Sequence, residues 1–335
     1  MVRRLFASIA RNFLTWPSGR PTSFKEDTWL RACQKGGLPM SIKHILVPLL
    51  GIETDRCALD AALAVAKTYQ AHIQALHVLA DPLQSTPMLV GVGFAIAEAA
   101  DVTRKHSEAL AKTARATFDK WVVDRGITLS DQPINPGAEA AGVTTQFIAE
   151  QEQELIRDPL IIYSRLTDLI VFARPDQGDD FALMSIQLED VLFAAGRPVL
   201  LVPKSMSEAA LQAIQTGTAL IAWNGSIEAV RAVQSALDLL PGRAKVRVAT
   251  VPEGEQGNAA MELVRYLAWQ GIESAAAEVP KEGGTSQRLL QTAAEQQAGL
   301  LAMGAYSHGR LRQMVLGGVT RDMIHHAGLP VLLAH

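Results

Sequence analysis

The chain has little cysteine. Two occur in 335 residues, Cys33 and Cys57, and neither stands at metal-ligand spacing. This gives no disulfide framework and fits a reducing compartment. Aromatic residues are scarce at 5%, and charged residues reach only 19%. No run of 18 apolar residues is free of charge, so no membrane span is expected. No Ser-His-Asp, paired-carboxylate or Cys-His arrangement has a credible spacing, so a catalytic role is not expected. Excess positive charge is missing from most of the chain. Residues 1–39 carry +5 and the whole carries −3, which leaves −8 for the rest. An acidic body argues against nucleic acid as a partner, because such binding needs basic surface to displace counterions.

What is present is a large apolar fraction, 48%, and a length that suggests two domains. Residues 1–39 stand apart, with Arg3, Arg4, Arg11 and Arg20 among Phe6, Phe13, Trp16 and Trp29. They read as an upstream extension, disordered or arising from a wrongly chosen start. A second reading is a basic amphipathic anchor, since Leu5, Ile9 and Phe13 fall at helical spacing.

From residue 42 short apolar strands alternate with amphipathic helices, which implies a parallel sheet. The pattern occurs twice. The first copy, 42–203, has strands at 45–49, 72–79, 145–151, 169–173 and 198–202. Its helices fall at 55–69, up to 125, 155–166 and 181–195. The second copy, 218–335, has strands at 219–223, 246–251, 274–279, 300–304 and 331–334. Its helices fall at 226–240, 259–270, 286–297 and 318–326. Ser226 is a candidate N-cap, with Val230, Val233 and Leu237 expected inward. Residues 204–217 read as a polar, helical linker. The copies end alike, in Gly196-Arg-Pro-Val-Leu-Leu-Val202 and Gly328-Leu-Pro-Val-Leu-Leu-Ala334.

The C-terminal segment Gly304-Ala-Tyr-Ser307-His-Gly309-Arg310-Leu-Arg312-Gln-Met-Val-Leu-Gly317-Gly318-Val-Thr320 follows a strand and opens a helix. Free amides there favour an anion. The segment resembles the signature of the universal stress protein family, Gly-x2-Gly-x9-Gly-Ser/Thr. Gly304 and Gly317 match, Ser307 replaces the second Gly, and Gly318 replaces the Ser/Thr. The resemblance covers about 42–335 and includes the openings Ile45-Leu-Val-Pro48 and Ile221-Ala-Trp-Asn224-Gly225-Ser226.

That resemblance implies two tandem Rossmann-like α/β domains of the adenine nucleotide alpha-hydrolase type. Each would be a five-stranded parallel sheet flanked by helices, and the two would pack as an intrachain pseudo-dimer. It implies a cytoplasmic stress-response protein that binds rather than turns over, acting through unidentified protein partners or a small ligand. The candidate ligand is ATP with Mg, held in the second copy by Asn224, Gly225, Gly304, Ser307, Gly309, Gly317, Gly318 and Thr320. Asn224 stands where ATP-binding members carry Asp. The first copy has Leu50 there, and Asp176, Asp179 and Asp180 stand where phosphates would lie, so it is not expected to bind ATP. A nucleotide-dependent switch with weak ATPase activity is the alternative. Two chains pairing through a sheet edge or the helix 97–125 is a further expectation. Trp223 is expected between sheet and helix. Cys57 should pack as a small apolar residue, and His72 and His77 should lie on opposite faces of one strand. His325 and His326 are read as a surface pair.

Overall fold

The computed structural model describes residues 42–79, 93–132, 142–151, 158–240, 245–251, 259–306 and 318–335. Residues 1–41 lie outside this set, and with them both readings of the N-terminal segment.

The N-terminal half begins with strand β1 (His44–Pro48), helix α1 (Asp55–Tyr69) and strand β2 (His72–Leu79). Helix α2 (Gly93–Arg125) follows, then strands β3 (Thr128–Leu129) and β4 (Thr144–Gln151). Helix α3 (Pro159–Arg165), strand β5 (Leu169–Ala173), helix α4 (Asp179–Ala194) and strand β6 (Val199–Val202) complete it. Helix α5 (Glu208–Thr216) occupies the expected linker. The C-terminal half comprises β7 (Thr218–Ala222), α6 (Ile227–Ala236), β8 (Val246–Ala249), α7 (Ala259–Trp269) and β9 (Ala275–Ala276). It closes with α8 (Thr285–Glu295), β10 (Ala298–Gly304), α9 (Gly318–His326) and β11 (Val331–Ala334).

The eleven strands of the described residues form one sheet, ordered β3-β4-β2-β1-β5-β6-β11-β10-β7-β8-β9. Pairing is parallel within each half. Among the described strands it is antiparallel only where β6 meets β11, in the register Val331↔Leu201, Leu332↔Leu200, Leu333↔Val199. Read inward from either edge, the order of the main strands is the same, β4-β2-β1-β5-β6 and β9-β8-β7-β10-β11. The two-residue edge strand β3 was not expected. It pairs only with Thr144 and Thr145 of β4.

The strands alternate their side chains between two apolar layers, because successive residues of a strand face opposite ways. Ile45, Val47, Ile73, Ile221, Leu300 and Leu332 pack with α1, α2, α5, α6 and α7. Leu46, Phe172, Leu201, Leu220, Leu301 and Leu333 pack with α3, α4, α8 and α9. Both layers are buried, which is why the strands read as continuous hydrophobic runs.

Local signals place several helix starts. Ser226 accepts the Ala229 N–H at 3.1 Å and caps α6 as expected. Asp158 accepts the Leu160 N–H at 2.8 Å with Pro159 at the first position of α3, so that helix starts four residues later than read. The inward face of α6 needs a correction. Val233 is buried, but Val230 is 44% exposed, and the face is completed by Ala229, Ala232 and Ala236. The strands expected at 246–251 and 274–279 contract to β8 and β9. His72 is half-buried and bonds Thr144 Oγ1 at 2.9 Å, whereas buried His77 bonds the Leu49 carbonyl at 2.7 Å. Burial pushes the affinity of both imidazoles for a proton down. Cys57 is partly buried, its Sγ donates to the Pro203 carbonyl at 3.3 Å, and burial pushes the thiol up to about 11.

Candidate functional site

A strand order that reverses direction leaves a crevice beyond the carboxyl ends of the two central strands. In the C-terminal half that point lies between β7 and β10, and it holds a cavity of about 290 Å³. Ala222, Trp223 and Asn224 line it from the end of β7, Ala249 from the end of β8, Val251 from just beyond it, and Met303 and Gly304 from β10. Ser226 and Ala229 come from the start of α6, Thr285 and Leu289 from α8, and Val319 and Thr320 from α9. Three helix N-termini therefore converge on one space, each bringing a partial positive charge.

None of the described lining residues is ionisable. The walls are apolar at Ala249, Leu289 and Met303 and polar at Asn224, Ser226, Thr285 and Thr320. Much of that polarity serves the backbone. Asn224 Oδ1 accepts the Ser226 N–H at 3.1 Å, and Thr320 Oγ1 accepts the Tyr306 N–H at 3.2 Å. The first bond shapes the turn into α6, and the second ties the end of β10 to α9. Trp223 is half-buried rather than enclosed between sheet and helix. It packs against the core on one side and lines the cavity on the other.

Of the expected binding residues, the structure brings Asn224, Gly304 and Thr320 to this cavity. Gly225 lies in the adjoining turn with φ +74°, and Gly318 begins α9 and is exposed. Ser307, Gly309 and Gly317 fall outside the described residues. Gly304 has a packing reason for being glycine. A Cβ there would come within 2.6 Å of the Ala229 amide nitrogen and the Glu228 carbonyl carbon. The first turn of α6 lies directly on β10, and only glycine leaves room.

In the N-terminal half the turn after the first strand closes on a carboxylate of its own. The Asp55 carboxylate, buried at the start of α1, accepts the amides of Leu50, Gly51 and Ile52 at 3.1, 2.8 and 3.3 Å. Burial pushes it up to about 6, against the pull of those three hydrogen bonds. The loop after β5 forms an acidic cleft with Glu53, Asp176, Asp179 and Asp180, in which Lys204 Nζ lies 2.6 Å from Asp176. Asp179 and Asp180 occupy the first turn of α4, where the helix dipole favours them. His326 is exposed, as expected of a surface pair, but His325 lies against Phe181 with ring centroids 4.6 Å apart. Sequence reasoning missed Asp55 and placed His325 on the surface without its ring partner. Asp55 bonds amides three to five residues before it, whereas His325 meets Phe181 from a distant segment.

Residues 196–335 match the model of the Universal stress protein family. The structure is similar to that of a universal stress protein from Archaeoglobus fulgidus DSM 4304, with a TM-score of 0.55 and 17% identity over 88% of this chain and 96% of that one. It is also similar to a chain from Pseudomonas aeruginosa UCBPP-PA14, provisionally described as a universal stress protein. There the TM-score is 0.51 and the identity 18%, over 88% of this chain and 93% of that one. Identities this low speak to the fold alone, an α/β arrangement with a mostly parallel sheet. No curated protein matches the chain.

Proposed function

We propose that the chain is a non-catalytic universal stress binding protein whose C-terminal crevice takes an adenine nucleotide, ATP with magnesium. In this reading 42–203 and 218–335 are two universal stress domains joined as an intrachain pseudo-dimer, working in the cytoplasm with protein partners. The observation that carries it is the cavity at the β7/β10 reversal, which gathers Trp223, Asn224, Gly304 and Thr320 beneath three helix N-termini. Its neutral, partly apolar walls suit a flat base, and the helix termini suit an anionic tail. The family match over 196–335 supports the same half. The repeated strand order and the overlay across 88% of the chain support two related domains.

Titration of the full chain with ATP and magnesium, read by native mass spectrometry, tests this. One adenine nucleotide per chain is expected. No bound mass at millimolar ATP sinks it. Trp223→Ala should weaken binding about tenfold by removing a stacking surface, and unchanged affinity would move the base elsewhere.

A further inference from the structure

The cavity belongs to the C-terminal half, but two of its supports are held by the other half. Helix α9 contributes Val319 and Thr320 to the lining, and its far end is gripped by the N-terminal half on the same face of the sheet. Arg174, just after β5, donates from Nη1 to the Ile324 carbonyl at 3.3 Å. The Phe181 ring lies against His325, and Gln177 Nε2 stands 3.3 Å from His325 Nδ1. A guanidinium at the carbonyl end of a helix meets both the unpaired carbonyls and the negative end of the dipole. Helix α9 is only nine residues long, so a displacement at Ile324 reaches Thr320 one turn away. Thr320 in turn holds the Tyr306 amide. Tyr306 has a left-handed φ of 64° and rests on Phe193 of α4, with ring centroids 4.4 Å apart.

We infer that Arg174 of the N-terminal half is a positioning residue for the C-terminal cavity, acting through α9 on Thr320 and Tyr306. The inference rests on the nucleotide reading above for its ligand arm only. The mechanical link is a property of the free protein.

Amide hydrogen exchange of the full chain without nucleotide decides the link. In Arg174→Ala the amides of Tyr306 and of α9 should exchange about tenfold faster, the scale of one charge-assisted hydrogen bond. Those of Leu300 to Met303 in β10 should not change. Arg174→Lys, which can still donate to Ile324, should restore most of the protection. Unchanged exchange at Tyr306, or an equal rise throughout β10, overturns the inference. Calorimetric titration with ATP and magnesium adds the second arm. Affinity should fall several-fold in Arg174→Ala and recover in Arg174→Lys. If the wild type takes up no ATP, the nucleotide reading fails and the exchange data still decide the link.

Discussion

Each half turns from its first strand into its first helix, and the two turns have opposite contents. After β1 the amides of residues 50–52 close on the Asp55 carboxylate, and α2 crosses so near Gly51 that a Cβ would come within 2.8 Å of the Leu110 Cα. After β7 the side chains of Asn224 and Ser226 bond only to the local backbone, and nothing lies within 4 Å of a Cβ added at Gly225. One half supplies its own anion and its own cover. The other holds its turn with neutral side chains and borders a cavity. The same position in a parallel sheet can thus serve stability in one half and border a cavity in the other.

The largest effect that tests this contrast comes from the two glycines, which have φ of +79° and +74°. Gly51→Ala adds a clash with α2 backbone to the left-handed strain and should cost about 3 kcal/mol or more. Gly225→Ala meets the strain alone and should cost about 1 kcal/mol. Urea unfolding measures both, and equal losses would break the comparison. Next comes Asp55, whose affinity for a proton rises from the ordinary 3.8 to about 6 on folding. Its stabilising contribution is therefore full below pH 3.8 and is lost as pH rises through about 6. The difference amounts to about 3 kcal/mol. Stability measured at pH 5 and pH 7.5 should fall over that range in the wild type, and Asp55→Asn should flatten the slope. Parallel curves would mean that the carboxylate is not buried as described. The smallest effect is Ser226→Ala, which removes the α6 cap and should cost about 1 kcal/mol. A loss near zero would show that the turn is held by Asn224 alone.

Much of the fold was legible because period and capping agree. The bounds of α1 and β2 follow from an Ala-rich helical stripe and a strongly apolar strand, and Ser226 marks the start of α6. The inner face of α6 was misread because the valines caught the eye while alanines made the contact. Those alanines belong with Gly304, since a close helix–strand approach needs small residues on both sides. Gly304 itself was read as a phosphate glycine. Its crowding against Glu228 and Ala229 arises between segments 75 residues apart or more, which no local pattern reports. Asn224 and Thr320 were expected at the crevice through the resemblance and do line the cavity, yet their bonds to Ser226 and Tyr306 were not legible. The cover over Gly51 was also hidden, because it depends on where α2 happens to cross.

The antiparallel seam between β6 and β11 has a consequence for how the chain could be divided. Every residue of both strands is buried. Cut into separate pieces, 42–203 and 218–335 would each bare an apolar strand with a free hydrogen-bonding edge, an invitation to self-association. The seam is centred on Leu200 opposite Leu332, with Val-Leu-Leu on either side, so each bared strand resembles the partner it has lost. Severed pieces would face a choice between complementing one another and pairing with copies of themselves. In the intact chain the tether through α5 makes that choice, by keeping the proper partner at an effective concentration of about millimolar.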